Sequence, residues 1–420
     1  MRIRPSILLM DSPIDLPIDL IDTRLKRNQL IKKIFSCQID QSGQSGIYLV
    51  GGFLRDAFLG IRSNDIDIVV RGRRPRALAE EIRSKTGGTV FDLKEDRTVR
   101  VALDGGRTID VSGLDSTLES DLRTRDFTIN SIAWSPERGF IDPYGGIADI
   151  QGKIIKANLK KNISNDYLRA LRLYRIYSEL GFQIDKRTRD WCSKLSSGFK
   201  KIAPERITLE FFKLLMGGWW AKALDMALED NVLECIIPLS YNELRRNIRL
   251  VSRLDRKVKA IHIKRYLKSG LDGLSQRGLM RLEGLVLGSD VSSLRITLSN
   301  ELEGKLKTVR DLYEHAHLIR CRPRDPSDRV GLFKLLDNAG DSAPDLLIIS
   351  EREGCLGHYD RFVRFDQRLL LSAIEIMSIT GERPGPLIGE ILGEIRKRRF
   401  MGEIRTGKQA RALLARGTLF

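Results

Sequence analysis

Apolar positions along this chain change their period near residue 157, and the change divides it into two kinds of structure. Between 47 and 157 the apolar residues fall in short runs: Ile47–Val50, Asp65–Val70, Thr89–Asp92, Arg97–Ala102 and Thr108–Val111. Runs of this length, bounded by Gly, Asp and Asn, predict strands. A helix is predicted near Pro75–Lys85, and Asp104-Gly105-Gly106-Arg107 between two apolar runs is a hairpin-turn signal. Beyond Lys156 the spacing becomes helical, over Asn165–Leu180, Pro204–Leu215, Trp219–Leu228, Glu301–Leu318, Arg329–Asp337, Leu369–Ile379 and Pro386–Arg399. Ahead of the strands, a Pro-punctuated start leads to a predicted helix around Arg24–Phe35 and a loop at Gln41–Gly46. The pattern predicts an α/β head on a mostly antiparallel sheet with helices, followed by an all-α remainder. The expected divisions are an extension (1–40), a head (41–157), a helical neck (158–222), a helical body (223–343) and a basic helical tail (344–420), with a break at Gly340–Pro344.

Charge narrows the partners. Lys and Arg number 72 against 55 Asp and Glu, a formal net charge of +17. A field of that sign draws polyanions, and nucleic acid is the expected partner; the competing reading is a basic surface kept for solubility. No apolar run approaches the ~20 residues that span a bilayer, and Ile7–Met10 is too short and too soon acidic for a signal peptide. Cys37, Cys192, Cys235, Cys321 and Cys355 show no CxxC spacing. They suit a reducing cytoplasm better than a disulfide framework or a zinc site.

The chemistry concentrates at Tyr48-Leu49-Val50-Gly51-Gly52-Phe53-Leu54-Arg55-Asp56 and at Asp65-Ile66-Asp67-Ile68-Val69-Val70. Residues i and i+2 of a strand share a face, so Asp65 and Asp67 can grip metal ions together. The Gly-Gly turn beside them can cradle phosphates. A dinucleotide turn would need Gly-x-Gly-x-x-Gly, and a Walker loop would need Gly-Lys-Ser/Thr; neither is present. An isolated Asp-x-Asp is more often a solvated pair, but here it has a Gly-Gly turn before it and an apolar strand around it. Two Mg²⁺ ions would lower the pKa of an attacking hydroxyl and clamp a triphosphate. Asp110 is the best placed third carboxylate, with Glu119 and Asp121 behind it; Asp110 reads equally well as an ordinary strand-end residue.

Downstream, Asp121-Leu122-Arg123-Thr124-Arg125-Asp126-Phe127-Thr128-Ile129-Asn130 strongly resembles the Arg-Asp-Phe-Thr-Ile-Asn motif of the class II tRNA nucleotidyltransferases and bacterial poly(A) polymerases. Leu49–Gly60 with Asp65 and Asp67 resembles that family's first motif. Ile141–Ile150, Asn165–Arg172 and Pro204–Glu210 resemble its third, fourth and fifth, in order. The resemblance implies a nucleotidyltransferase head in which Asp65 and Asp67 hold catalytic Mg²⁺; Asp110 stays the candidate further catalytic carboxylate from its place on a neighbouring strand. It implies that Gly52, Arg55 and Arg125 meet the incoming nucleotide, and that Asp126 and Asn130 hold its ribose; Gly51 and Asp56 of the same turn are further nucleotide-binding candidates. Asp126 also reads as a helix N-cap.

Asp166 and Arg169, three apart, are expected to share a helix face. A carboxylate accepts from the exocyclic amine of cytosine or adenine, and a guanidinium donates to the neighbouring ring acceptor. The pair can therefore select C or A without a nucleic-acid template, and the resemblance puts Arg172 in the same site. A surface salt bridge is the plainer reading of such a pair. Thr124 stands where the family has a second arginine, and Asn165 where it often has an acid; both departures bear on nucleotide preference. Some relatives carry a phosphohydrolase domain, which needs His-Asp metal ligands. His262, His315, His317 and His358 lack that pairing, so a second metal site is expected to be absent. Gly381–Gly389, followed by Arg396-Lys397-Arg398-Arg399, suits RNA-backbone contact or a solvated basic helix in equal measure. The reading is a cytoplasmic enzyme that adds C, A or both from CTP and ATP to the tRNA 3′ end. The alternatives are a poly(A) polymerase and a non-catalytic RNA-binding protein on the same scaffold.

Overall fold

The structure is a computed structural model that describes residues 17–37, 46–72, 74–94, 97–258, 270–323 and 325–416. Ile7–Met10, most of the Gln41–Gly46 loop and His262 lie outside these residues. The chain forms two compact units, 1–235 and 236–420.

In the first unit, α1 (Ile18–Arg27) and α2 (Gln29–Phe35) replace the single expected helix. Asn28 interrupts it, because its side-chain oxygen accepts from the amides of Leu30 and Ile31 and so caps a new helix. The pair is not a loose extension. Ile21, Leu25, Ile31 and Ile34 are buried, and the Trp134 indole donates to Asp22 at 2.8 Å.

The sheet follows: β1 (Ile47–Val50), α3 (Gly52–Phe58), β2 (Asp65–Val70), α4 (Pro75–Thr86), β3 (Thr89–Lys94), β4 (Thr98–Leu103) and β5 (Arg107–Gly113). After α5 (Leu118–Thr124) come two short strands, β6 (Ala133–Ser135) and β7 (Gly139–Ile141), which three-residue runs left illegible in the sequence. The seven-strand order is β3-β4-β5-β2-β1-β6-β7, antiparallel throughout except where β2 and β5 run parallel. The β4–β5 hairpin turns at Gly105 and Gly106, whose φ of +73° and +71° a side chain would strain. Along β4, Val99, Val101 and Leu103 alternate inward, and α4 buries Leu78, Ala79 and Ile82 on the same unit's core.

Helices then take over: α6 (Gly146–Gln151), α7 (Lys160–Asn165), α8 (Leu168–Leu180), α9 (Lys186–Ser193), α10 (Pro204–Met216) and α11 (Trp220–Glu229). The faces of α10 and α11 pack on α8. Tyr174 of α8 is fully buried and donates its hydroxyl to Asp230 at 2.7 Å. Burial pushes the Cys192 thiol up to about 12, which makes it a packed side chain and not a nucleophile.

The second unit is helical: α12 (Tyr241–Lys257), α13 (Gln276–Leu285), α14 (Asn300–Leu318), α15 (Pro326–Ala339), α16 (Ala343–Ile349), α17 (Leu356–Gln367), α18 (Ala373–Thr380), α19 (Pro386–Met401) and α20 (Gly407–Ala415). Ser372 and Glu375 form a capping box, so α18 starts four residues later than Leu369. The break expected at Gly340–Pro344 lies inside one core, because Leu336, Ala339, Ala343 and Leu346 are packed together there. A separate core gathers Leu371, Ile376, Ile388, Ile391, Ile395, Ile404 and Ala410. Among the described residues no helix is long and apolar enough to cross a membrane.

Cys321 and Cys355 form a disulfide across a separation of 34 residues. This corrects the expectation that the scattered cysteines lack pairing: the partners meet only through the packing of α14, α15 and α17. Closing a loop of that length is worth about 2–4 kcal/mol. Cys321→Ser should therefore lower the melting temperature of the oxidised protein by several degrees and leave that of the dithiothreitol-reduced protein unchanged. Equal melting of the oxidised forms would contradict a stabilising role.

Candidate active site

β1 leads into Gly51, whose φ is +80°. A Cβ there would stand 2.8 Å from Asp67 Oδ2 and 3.0 Å from Arg125 Nη1. Glycine lets the Asp67 carboxylate and the Arg125 guanidinium close in over the turn. The Gly51 amide donates to the Ile132 carbonyl, so any phosphate cradle at this turn is built from other amides. Asp65 and Asp67 share a face of β2, as their spacing predicts. The parallel register sets Asp67 beside Asp110 and Asp65 beside Thr108 on β5, whose hydroxyl donates to Asp65 at 2.8 Å. Burial first, then the nearby Asp110 and Asp65 carboxylates, push the Asp67 carboxyl above its usual range, although Arg125 pulls the other way. Asp110 accepts two hydrogen bonds from Arg100, at 2.6 and 2.7 Å, through both its oxygens.

A chain of polar side chains faces these carboxylates. Arg55, 6% exposed, donates to Asp56 at 2.7 and 2.9 Å and to Asn130 at 2.8 Å. Burial raises the Asp56 carboxyl despite its arginine. Asn130 donates to Asp126 at 3.0 Å, as does the Phe127 amide at 2.8 Å. The other oxygen of Asp126 lies 3.2 Å from Arg172. Burial alone would raise Asp126, but Arg172, Asn130 and the Phe127 amide hold it below the usual range. The N-cap reading of Asp126 gives way: it caps no helix and instead ties the second motif to α8. Asp142 accepts from the amides of Gly146 and Ile147 to start α6, while Thr128 donates to Asp149 at 2.6 Å. The third motif thus braces the segment that carries Asp126 and Asn130.

Apart from Asp166 and the weaker carboxylate candidates Glu119 and Asp121, the candidate residues line a single cavity of about 1010 Å³: Gly51, Gly52, Arg55, Asp56, Asp65, Asp67, Asp110, Arg125, Asp126, Asn130, Arg169 and Arg172. Asp166 stands outside that lining. It precedes α8 in extended backbone, its carbonyl accepting from the Arg169 amide at 3.0 Å; its carboxylate accepts from the Leu168 amide at 3.3 Å and from Arg206 at 2.8 Å. Arg169 instead donates to the Thr124 carbonyl at 2.7 Å. Its buried Nε has no hydrogen-bond partner among the described residues, and burial lowers its pKa. A buried, unpartnered donor on a cavity wall is what an absent ligand leaves behind.

Glu210 and Arg206 were missed as site residues by the sequence reading. Glu210 stands 3.6 Å from Arg172 and 2.7 Å from Arg175, and Arg206 holds Asp166; both belong to the fifth motif, whose ordered carboxylate and arginine were the signal. Asp121, considered as a metal ligand, accepts twice from Arg125 at 3.1 Å and so orients it.

Adjacent strand carboxylates facing a wall of arginines across one cavity define a nucleotidyltransferase head. Residues 47–114 and 103–156 match the poly A polymerase head domain, and residues 181–242 match the probable RNA and SrmB-binding site of polymerase A. The chain is 29% identical over 402 residues to a CC-adding tRNA nucleotidyltransferase of Geobacter sulfurreducens, covering 90% of this chain and 93% of that one. It is 27% identical over 427 residues to an A-adding tRNA nucleotidyltransferase of Deinococcus radiodurans, covering 88% and 95%. It shares its fold with a CCA-adding enzyme solved with ATP (TM-score 0.76, 22% identity, 97% and 100% covered). It also shares it with the Thermotoga maritima CCA-adding enzyme complexed with tRNA (TM-score 0.74, 21% identity, 96% and 100% covered). The chain thus carries a poly A polymerase head domain and is similar along most of its length to class II tRNA nucleotidyltransferases.

Proposed function

We propose that this protein extends the 3′ end of tRNA with C, A or both, using CTP and ATP and releasing pyrophosphate. It is a tRNA nucleotidyltransferase. The observation that carries the reading is the single cavity in which Asp65 and Asp67 face Arg55, Arg125, Arg169 and Arg172. The RNA 3′-hydroxyl oxygen bonds to the α-phosphorus, the bond from that phosphorus to the bridging oxygen breaks, pyrophosphate leaves, and the hydroxyl proton passes to solvent. The reading takes the reaction to be cytoplasmic, where tRNA, CTP and ATP are the substrates at hand.

Among the described residues no three of His, Cys, Asp and Glu converge as a ready ligand set. Asp65 and Asp67 nevertheless fit a hard divalent cation, Mg²⁺ in this reading. They are oxygen donors on one face, and their mutual repulsion with Asp110 is what a cation relieves. When bound, the cation supplies a lowered pKa for the attacking hydroxyl and countercharge for the triphosphate. Asp110, held at both oxygens by Arg100, keeps negative charge beside Asp67 and acts as a support more readily than as a ligand. Arg125 and Arg55, with Gly51, Gly52 and Asp56 shaping the turn, meet the phosphates. Asp126 and Asn130 hold the ribose. Arg169 and Arg172 meet the base, and Asp166 joins them once Arg206 releases it. The carboxylate then accepts from the amine of C or A, whereas U and G present a carbonyl there.

Purified protein given tRNA lacking CCA, CTP, ATP and Mg²⁺ should release pyrophosphate, and should stop when the RNA 3′-hydroxyl is blocked. Equal release with UTP and GTP, or none with any nucleotide, would contradict the reading.

A further inference from the structure

Asp67, Asp110 and Arg100 stand in one row across three strands of the first unit's sheet. The β2–β5 register sets Asp67 opposite Asp110, and the β4–β5 register sets Asp110 opposite Arg100. Neighbouring strands lie about 4.7–4.9 Å apart, so a guanidinium on β4 reaches the carboxylate that stands between it and Asp67. Arg100 donates to both oxygens of Asp110, from Nε at 2.6 Å and from Nη2 at 2.7 Å. Its side chain is 32% exposed and lines the same cavity as Asp65 and Asp67. The residue in register with Arg100 on its other side, on β3, is Phe91, which offers no rival acceptor. Asp65 is held more loosely, accepting from the Thr108 hydroxyl on one oxygen. The Arg125 guanidinium close to Asp67 is itself tied to Asp121. Of the three carboxylates in this corner, Asp110 is the one closed at both oxygens.

We propose that Arg100 is a positioning residue that keeps Asp110 from ligating the divalent cation, so that Asp65 and Asp67 alone hold the cation and hold it weakly until the nucleotide arrives. The proposal rests on the reading of the protein as a tRNA nucleotidyltransferase. A hard cation takes carboxylate oxygens directly, and the number of carboxylates that reach it tunes its affinity over decades. A guanidinium fork matched to a carboxylate occupies both of those oxygens at once. Freed of Arg100, three ionised carboxylates on adjacent strands would bind a cation tightly with or without a triphosphate. With Arg100 in place, one of the three is compensated, and the remaining ligand positions fall to water and then to the phosphate oxygens the substrate brings. Two carboxylates also release a cation with pyrophosphate more readily than three. The competing role for Arg100, a cross-strand pair that only stiffens the β4–β5 hairpin, leaves cation affinity untouched, and so the two roles separate in binding measurements.

The test is Mn²⁺ binding to the nucleotide-free full-length protein, read from the paramagnetic resonance signal of the free ion, for the wild type, R100Q and R100Q/D110N. Melting curves in a chelator check that each variant folds. R100Q should bind Mn²⁺ about tenfold more tightly, because Asp110 becomes a third carboxylate ligand. In D₂O, the echo modulation from water bound to Mn²⁺ should fall by about one molecule, the one that Asp110 displaces. R100Q/D110N should return to the wild-type affinity and water count, and R100M gives the same comparison should R100Q fail to fold. Added CTP should tighten Mn²⁺ binding more in the wild type than in R100Q. An R100Q protein that melts lower but binds Mn²⁺ no more tightly than the wild type would overturn the inference while leaving the enzyme reading intact, as would tighter binding with an unchanged water count. A wild-type protein that binds no Mn²⁺ and extends no RNA would overturn the reading itself.

Discussion

Asp67→Ala should lower nucleotide incorporation by about a thousandfold while making the cation-free protein more stable. The first effect follows from charge. Asp67 stands over the Gly51 turn, in register with Asp110 on the neighbouring strand and beside Arg125. A cation held there contributes several kcal/mol to the transition state, and each 1.36 kcal/mol is tenfold in rate. The second effect follows from linkage. Burial and the adjacent carboxylates raise the folded-state pKa of Asp67 above its ordinary 3.8. The folded protein therefore holds that proton more tightly than the unfolded chain does. Stability is then lost as pH rises from about 3.8 through the raised value, and at neutral pH the ionised group opposes folding. Alanine removes the opposition. Initial rates at saturating tRNA and CTP, with melting curves in a chelator, read both effects; an undiminished rate would contradict the role given to Asp67.

Asp126→Ala should act in the opposite sense on stability, costing about 1–3 kcal/mol, because it leaves the buried Asn130 side-chain amide and the Phe127 N–H without their acceptor. Asp126 joins Asn130 and Arg55 on one side to Arg172 on the other, and it is 4% exposed. Its folded-state pKa lies below 3.8. Its contribution to stability is therefore present above the unfolded value and is lost as pH falls through the lowered one. The wild type should show an acid limb below about pH 4 that the variant lacks, and the KM for CTP should rise as Arg172 loses its anchor. A variant melting within a degree of wild type across this range would contradict the network.

How much of this was legible follows from the physics of each element. The strands β1, β2, β4 and β5 were readable because β-branched runs bounded by Gly and Asp have few other solutions. Asp65 and Asp67 were readable because a period of two fixes their common face. The partner of Asp110 was not, since Arg100 reaches it across a strand pair that sequence does not register. Asp166 shows the limit of spacing arguments: three residues from Arg169, it sits ahead of the helix start, where Arg206 holds it. The α12 helix escaped notice although its apolar residues keep a helical period from Leu244 to Val258, because five arginines and a lysine dominate its composition. The Cys321–Cys355 pair was invisible for a different reason, since only packing brings the two together.

The central claim is that the cavity of the first unit transfers C or A to the end of tRNA. Its most direct test is product length at single-nucleotide resolution, from tRNA lacking CCA with CTP alone, ATP alone and both together. The account predicts a short defined extension, at most C, C and A, that stops there and vanishes in D65A/D67A. A long A tract on varied RNAs from ATP alone, or an extension that survives loss of both aspartates, would contradict it.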